Sequence, residues 1–140
     1  MSGWNDAVIE QFLEGRERIA DTFDRASLIL LDTTGARTGL RRTSPVACFA
    51  DGDRLIVAAS KAGADTDPDW FHNLVVHPAV HVRRWEDGVL AQYPATATVL
   101  AGAERDRAWE WLTSRAPGFA EYQTKTSRVI PVVALQADRA

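Results

Sequence analysis

A short arginine- and glycine-rich stretch, "TTGARTGLRRTSP" at residues 33–45, separates two apolar segments of this 140-residue chain. It carries three arginines: Arg37, Arg41 and Arg42. The whole chain has a formal net charge of −3, so a local basic cluster needs its own explanation. Gly35 and Gly39 are expected to adopt positive φ, which would let successive backbone N–H groups converge on an anion. Guanidinium groups suit phosphate or carboxylate, so we predict an anion-binding loop, with a solvated loop as the alternative.

Hydroxyl and ammonium groups extend this candidate site. Thr38 and Thr43 add hydroxyl donors to the loop. The chain has only two lysines, and one of them, Lys61, ends the apolar segment "RLIVAASK" directly after Ser60. We expect both residues near the mouth of a barrel, whereas the alternative for Lys61 is an ordinary surface position.

Three aromatic residues and one cysteine are further candidates. Trp70 and Phe71 offer a flat aromatic wall, although aromatic pairs more often fill a core. Tyr122 precedes the last apolar segment and can present its hydroxyl to a ligand, with a structural role as the alternative. Cys48 has no general base near it in the sequence, and we expect it to be a small buried filler.

The sequence does not carry the motifs of several other chemistries. His72, His77 and His81 straddle Pro78, so they cannot share one regular helical face, and no metal site is predicted. No G-x-S-x-G nucleophile motif is present. No G-x-G-x-x-G follows a predicted strand, which argues against a nicotinamide site of the Rossmann type.

The apolar periodicity predicts an amphipathic helix over residues 5–23, with Asn5 as its N-cap. This helix falls in an N-terminal segment, residues 1–26, of one domain spanning residues 1–140. Its apolar face is expected to cover a core, and docking to a membrane surface or to a partner is the alternative.

Short apolar runs separated by turn signals predict about six antiparallel strands, beginning with a meander. The strands are expected at residues 27–34, 44–50, 54–60, 80–86, 89–100 and 128–135. Asp87-Gly88 is a hairpin turn signal, and Pro131 within the last strand indicates an edge or a bulge. Helices are predicted over residues 67–77, with Asp67 as N-cap, and over 103–116. The fold class is therefore α+β, a six-stranded, closed or nearly closed antiparallel barrel with covering helices.

Composition excludes several classes of protein. No apolar run approaches the ~20 residues that cross a bilayer, and the N-terminus lacks the pattern of a signal peptide. The acidic balance, with a pI of about 5.6, argues against a nucleic-acid binder. A single cysteine fits a reducing compartment. We expect a cytoplasmic protein, with a location peripheral to the inner face of the membrane as the alternative.

Four segments in this order resemble the deazaflavin-dependent nitroreductase and quinone reductase family of actinobacteria. They are "LLDTTGARTGLRRTSPV", "RLIVAASKAGADTDPDWFHNL", "HPAVHV" and "RVIPVV", and the resemblance runs from about residue 5 to 135. It implies a split β-barrel of the FMN-binding type. It also implies the 8-hydroxy-5-deazaflavin cofactor F420, whose hydride-carrying ring is joined to a phosphodiester and an acidic oligoglutamate tail.

The resemblance assigns roles to named positions. Arg37, Thr38 and Arg42 would grip the phosphate and tail, and Thr43, Ser44, Pro45 and Val46 would line the cofactor path. Ala58, Ala59, Ser60 and Lys61 would border the ring, and Asp69, Trp70, Phe71 and Asn73 would close over it. Phe119 would also contact the cofactor, and it stands with Ala116 where some relatives carry tyrosines. Ser60 and Tyr122 would act as catalytic donors to the acceptor.

The activity implied is hydride transfer from reduced F420 to a small-molecule acceptor: a quinone, a nitroaromatic or an activated enone. Because the cofactor carries the chemistry, no protein nucleophile is needed. Two alternatives stay open. The same fold can hold FMN or haem, and the chain can be a non-catalytic F420 carrier. The sequence leaves the oligomeric state open.

Overall fold

The computed structural model of the protein describes residues 4–21 and 23–138. Within these residues the chain forms four helices: α1 (Trp4–Leu13), α2 (Asp69–Val76), α3 (Gly102–Arg115) and α4 (Gly118–Thr124). The strands of the same part of the chain are β1 (Arg18–Ile19), β2 (Phe23–Asp24), β3 (Leu28–Thr34), β4 (Arg41–Ala47), β5 (Phe49–Asp51), β6 (Arg54–Ala58), β7 (Ala79–Glu86), β8 (Val89–Val99) and β9 (Val132–Ala137).

Seven strands form one sheet in the order β4-β3-β7-β8-β9-β6-β5, and every pairing is antiparallel. The remaining two, β1 and β2, form a separate short ribbon. The expected α+β class is confirmed, but the number of strands is seven because the predicted strand 44–50 is two strands. The antiparallel pairings of the predicted meander over residues 27–60 are present, because β3 pairs with β4 and β5 pairs with β6. The middle strand is divided at Cys48, however, and its two parts lie at opposite edges of the sheet.

The short connection between the two edge strands requires the sheet to curl. β4 and β5 lie at opposite edges of the sheet, yet Cys48 alone separates them in sequence. The two edges must therefore approach each other, although no ladder of hydrogen bonds joins them in the described part of the chain. The result is a half-barrel. Pro45, which cannot donate to a ladder, lies on the edge strand β4, where prolines are tolerated.

The side chains of β3 alternate between two cores. Ile29 and Leu31 lie in the inner cluster, which fills the curl of the sheet and includes Trp70 and Leu74 of α2. Leu28 and Leu30 lie in an outer cluster with Val8 and Phe12 of α1. A third cluster packs α3 and α4 against β6 and β9. Because side chains alternate along a strand, α1 and α2 pack on opposite faces of the same sheet.

The first helix is shorter than predicted. α1 ends at Leu13, and Gly15 follows with a φ of 76°, a left-handed conformation that ends the helix. The chain then turns back through β1 and β2, so the prediction that the helix continues to Phe23 is wrong. Helix α1 begins at Trp4, which places Asn5 inside the first turn rather than at the N-cap.

The apolar face of α1 is buried. Val8 and Phe12 have no exposed surface, and Trp85 Nε1 donates to the Phe12 carbonyl at 2.9 Å. This packing gives no support to membrane docking through α1. Across residues 4–21 and 23–138, no helix combines the length and hydropathy that a bilayer crossing requires.

Two further expectations about local structure are corrected. Helix α2 begins at Asp69 with Pro68 as its N-cap residue, so Asp67 is not the N-cap; its carboxylate instead pairs with Arg128 at 2.8 Å. The last strand begins at Val132 and lies between β8 and β6, so Pro131 is neither on an edge nor in a bulge. A residue without an N–H is accommodated just before this central strand.

The Asp87-Gly88 hairpin is confirmed. Both residues have positive φ, 52° and 78°, as a type I′ turn requires, and Glu86 pairs with Val89 across it. The hairpin fixes the register of β7 and β8, the two longest strands of the sheet.

Candidate functional site

An open cleft of about 1010 Å³ lies where the loop between β3 and β4 meets the first turns of α2. It is lined by Gly35, Ala36, Arg37, Thr38, Arg41, Arg42, Thr43, Ser44, Asp69, Trp70, His72 and Asn73. The loop 35–40 and α2 are distant in sequence, so the fold assembles this cleft. Its lining carries three arginines against one aspartate, and it is therefore net positive.

The loop 35–40 is held by bonds within itself. Gly35 N–H donates to the Leu40 carbonyl at 2.7 Å, and Gly39 N–H donates to the Gly35 carbonyl at 2.9 Å. Gly39 has the predicted positive φ, 70°, but Gly35 does not, so that expectation is wrong for Gly35. A side chain at Gly35 would instead collide, because a Cβ would lie 2.7 Å from Thr38 Oγ1.

Asn73 fastens this loop to α2. Its side chain is buried, accepts a hydrogen bond from Ala36 N–H at 2.9 Å, and donates to Thr33 Oγ1 at 3.1 Å. One amide thus ties together α2, the end of β3 and the loop. Because both ends of the amide are engaged by the protein, the contacts that Asn73 makes are structural ones.

Two backbone donors of the loop stay free. Within residues 35–40, the N–H groups of Gly35, Ala36, Gly39 and Leu40 are all bonded inside the protein. Those of Arg37 and Thr38 have no partner in the described part of the chain. The side chains of Arg37 and Arg42 are likewise without an ion pair or hydrogen bond to any described residue.

The third arginine has a different environment. Arg41 donates to the carboxylate of Asp32, which also accepts from Thr43 Oγ1 and from Arg83 at 3.2 Å. Asp32 is buried, with 2% of its side chain exposed. Burial by itself would raise the pKa of Asp32, but hydrogen bonds from Arg41 and Thr43 and the charges of Arg83 and Arg41 outweigh it and lower the pKa below its usual value.

His81 also contacts Asp32 and Arg41. Its Nδ1 lies 3.3 Å from Asp32 Oδ2 and 3.3 Å from Arg41. His72 lines the cleft, and His77 is the C-cap residue of α2. In residues 4–21 and 23–138, no group of three or more His, Cys, Asp or Glu is placed to hold a metal ion.

Cys48 is a core residue, as expected. It is 3% exposed and packs in the inner cluster. Burial raises the pKa of its thiol to about 11, although the charge of Arg84 and a hydrogen bond from it act in the opposite direction. A thiol with this pKa is a poor nucleophile near neutral pH.

Eight of the predicted cofactor-binding residues line the cleft: Arg37, Thr38, Arg42, Thr43, Ser44, Asp69, Trp70 and Asn73. The others do not. Pro45 and Val46 continue along β4, Ala58 and Ala59 are buried at the end of β6, and Phe71 packs against the inner cluster. Ser60 is 8% exposed, while Lys61 is exposed and donates to Thr66 Oγ1 at 3.3 Å. The roles assigned to these residues stay predictions.

Phe119 and Tyr122 lie together on α4, apart from the lining of this cleft. Their ring centroids are 5.6 Å apart at 84°, and Phe119 packs edge-on against Phe49 at 5.9 Å. Both are half-buried against the third core cluster. Helix α4 also lies against Gly63, where a Cβ would approach the Tyr122 carbonyl oxygen to 2.9 Å.

Four residues of the cleft had no cofactor-binding role predicted from the sequence, namely Gly35, Ala36, Arg41 and His72, although Gly35 and Arg41 belong to the predicted anion-binding loop. For Arg41 a signal was present. Asp32 interrupts the apolar run "LILLDTT", and a carboxylate in such a strand needs a cationic partner when buried. The partner had to come from a neighbouring strand, and β4 supplies it.

Comparison with known proteins places the chain in a family. Residues 6–137 match the family described as F420H(2)-dependent quinone reductase. The chain is 36% identical, over 110 residues, to an F420H(2)-dependent quinone reductase of Mycobacterium tuberculosis, a match that covers 76% of this chain and 71% of the relative.

Two solved structures are similar as well. One, titled as the structure of an F420-H2 dependent reductase, is 34% identical with a TM-score of 0.67, and the match covers 79% of this chain and 94% of that one. The other is described as a domain-swapped dimer; it is 32% identical with a TM-score of 0.70, covering 91% and 93% of the two chains. The family match spans nearly all of the described residues, and the chain belongs to the F420H(2)-dependent quinone reductase family.

Proposed function

We propose that this chain is an F420H2-dependent reductase that passes hydride to a quinone. The observation that carries the proposal is the set of free donors in the cleft. Arg37 and Arg42 offer guanidinium groups without protein partners in the described part of the chain, and the N–H groups of Arg37 and Thr38 are equally free. Together they form a cradle for an anion.

The donor set fits the acidic part of F420. A phosphodiester and an oligoglutamate tail need cationic partners at several points, and the cleft has an excess of positive charge. Arg37 and Arg42 are exposed, so their charges stay hydrated in the ligand-free protein and are accessible to a ligand. Trp70, although largely buried in the inner cluster, also lines the cleft from the facing helix. We assign the phosphate and tail to the loop 35–42.

When bound, reduced F420 supplies a hydride from C5 of its deazaflavin ring. The task of the chain is to orient the partners and to stabilise the negative charge that develops on the acceptor oxygen. We propose Ser60 and Tyr122 as the donors to that oxygen. Their segments are neighbours, because the turn after Ser60 lies against α4 at Gly63.

Among acceptors we place quinones first, and we extend the proposal to nitroaromatics and activated enones. Phe49, Phe119 and Tyr122 form a half-buried group of aromatic rings at α4 that carries one hydroxyl. A flat, apolar acceptor fits such a group of rings better than one that needs several hydrogen bonds, since each unpaired buried polar group costs about 1–3 kcal/mol.

Two finer assignments belong with this function. We propose that the half-barrel is a split β-barrel of the FMN-binding type, in which the seven-stranded sheet and α2 frame the cofactor. We also propose that the protein self-associates. The similarity to a structure described as a domain-swapped dimer supports this, because the match covers 91% of the chain.

The experiment is a calorimetric titration with F420 and with FMN. We expect F420 to bind at least about tenfold more tightly, a difference of ~1.4 kcal/mol. Arg42→Ala should weaken F420 binding by about 1.5–3 kcal/mol, because a charge-assisted contact is lost, and the loss should shrink as salt rises. The matched control is Arg16→Ala, which removes the same charge from an exposed site outside the cleft.

Each alternative predicts a distinct result. FMN binding as tight as F420 binding would contradict the choice of cofactor. Tight F420 binding without oxidation of F420H2 by any quinone, nitroaromatic or enone would identify a carrier. If Arg42→Ala and Arg16→Ala behave alike at low salt, the anion lies elsewhere.

A further inference from the structure

Arg128 makes an unusual number of hydrogen bonds for one side chain. Its Nε donates to the Ala64 carbonyl at 2.8 Å, and its two terminal nitrogens donate to the carbonyls of Ala59 at 3.1 Å and Ser60 at 2.8 Å. It also donates to the Asp67 carboxylate at 2.8 Å. The side chain is 16% exposed. A single guanidinium therefore contacts both ends of the segment 59–67.

This segment needs support from outside. Lys61, Ala62 and Gly63 are all left-handed, with φ values of 46°, 54° and 84°. Two of the three carry side chains, for which this conformation is unfavourable. Inside the segment, Gly63 and Ala64 N–H donate back to the carbonyls of Ser60 and Lys61 at 2.9 and 3.1 Å. Arg128 adds the long-range contacts that hold this turn in place.

The same contacts fix the start of α2. Asp67 is followed by the buried Pro68 and then by Asp69, the first residue of the helix. Asp69, Trp70 and Asn73 line the cleft. A shift of Asp67 is therefore passed through Pro68 to the wall of the cleft.

We propose that Arg128 is a positioning residue for cofactor binding: its guanidinium holds the segment 59–67 and, through Asp67, the first turn of α2. Arg128 itself lies outside the cleft lining. The inference rests on the proposed function, because it takes F420 as the ligand of the cleft. It assigns to Arg128 a role in affinity that is separate from its role in stability.

Lysine cannot replace arginine here. The guanidinium is planar and carries five N–H donors in fixed directions, whereas an ammonium group is a point charge with three. Arg128→Lys keeps the charge next to Asp67 but cannot reach the carbonyls of Ala59, Ser60 and Ala64 together. The substitution therefore tests geometry at constant charge.

A close control is available in Arg105. Its side chain is 13% exposed and donates to the Ile130 carbonyl at 2.6 Å, two residues from Arg128. No hydrogen bond joins it to residues 59–67. Arg105→Lys thus perturbs a similarly buried guanidinium–carbonyl contact in the same region, without touching the segment.

The test compares wild type, Arg128→Lys and Arg105→Lys by F420 titration, steady-state kinetics and amide hydrogen exchange. For Arg128→Lys we expect the F420 Kd and the KM for F420H2 to rise about tenfold or more, with kcat within about threefold. Exchange should accelerate in residues 59–67 and in the first turn of α2. Arg105→Lys should leave the Kd and these exchange rates unchanged, even if its Tm falls.

The outcomes separate this inference from the function on which it rests. If wild type does not bind F420, the proposed function is overturned, and the role of Arg128 in binding with it. If wild type binds and the two variants lose only thermal stability, this inference alone is overturned. Should Arg128→Lys fail to fold, Asp67→Ala removes one contact of the four, and an unchanged Kd there would also overturn it.

Discussion

Asp32 is a buried carboxylate that is surrounded by cationic side chains. It is the one acidic side chain in the apolar strand β3, and its neighbours supply Arg41, Thr43, His81 and Arg83. Arg41 and Thr43 also line the cleft, so the hydrogen bonds that Asp32 accepts from them fix the positions of two lining residues. Its ionised form is stabilised in the folded protein, so the carboxylate contributes to the free energy of unfolding.

We expect this contribution to depend on pH in a definite direction. The folded-state pKa of Asp32 lies below its usual value of 3.8. The stabilisation is therefore fully present above the unfolded-state pKa and is lost as pH falls through the lower, folded-state pKa. Asp32→Asn should cost about 1.5–3 kcal/mol at pH 7, the value of hydrogen bonds to a charged group. Its stability should also fall less steeply than that of wild type on acidification below about pH 5.

Urea unfolding at a series of pH values measures both effects. Asp24→Asn is the control, since its ion pair with Arg18 is exposed on both sides, and such pairs contribute little. Equal acid sensitivity in wild type and Asp32→Asn would show that other carboxylates dominate.

Among the elements, the loop 35–40 and α2 depend on one amide for their relative position. Asn73 accepts from Ala36 N–H and donates to Thr33 Oγ1. Asn73→Ala leaves the buried Thr33 Oγ1 and the half-buried Ala36 N–H without this partner. We expect it to lower the free energy of unfolding by about 1–3 kcal/mol, chiefly through the buried contact. Hydrogen exchange at the Ala36 amide should accelerate in the same variant, and F420 affinity should fall.

Asn73→Asp divides this effect into two parts. A carboxylate keeps the acceptor for Ala36 N–H but has no N–H to donate to Thr33 Oγ1, which would have to donate its own hydroxyl instead. It also places a charge in a buried position, which is costly. We therefore expect the Ala36 amide to stay protected in Asn73→Asp while stability still falls, as two-dimensional NMR exchange measurements would detect. Rapid exchange at Ala36 in both variants would mean that the amide oxygen does not hold the loop.

At the same scale, local patterns predicted elements but not their ends. The Asp87-Gly88 turn was predictable because its backbone requirement is local. The first helix was extended too far, because Ile19 and Phe23 continue its apolar periodicity. Ile19 is indeed completely buried in the outer cluster, but it lies in the ribbon β1–β2. The apolar periodicity therefore predicted the burial of Ile19 correctly but not its secondary structure, because the helix ends before Gly15.

The cleft was predictable only in part, for the same reason. Its arginines are close together in sequence, so their clustering was visible. The contacts that shape it join residues far apart: Asn73 to Ala36 across 37 positions, and Arg128 to Ser60 across 68. No local pattern encodes such a pair. They arise from strand order, which places β9 beside β6 and thereby brings Arg128 to the end of β6.

At the scale of the whole molecule, substitutions on the two faces of the sheet can distinguish effects on folding stability from effects on ligand binding. Leu30 and Leu31 are adjacent on β3, and both are completely buried. Leu30 packs in the outer cluster with α1, and Leu31 packs in the inner cluster with Trp70 and Leu74 of α2. The two residues are a matched pair, alike in type, burial and strand but facing opposite cores.

We expect Leu30→Ala and Leu31→Ala each to lower the free energy of unfolding by about 2–5 kcal/mol, as cavities in a packed core do. Only Leu31→Ala removes support from the helix that lines the cleft, so it alone should weaken F420 binding, by about threefold or more, roughly 0.7 kcal/mol or more. Urea unfolding and calorimetric titration, at a temperature where both variants are folded, measure the two quantities. Equal loss of affinity in both variants would mean that the outer cluster and α1 also determine the shape of the cleft, and a loss in Leu30→Ala alone would reverse the assignment of the two faces.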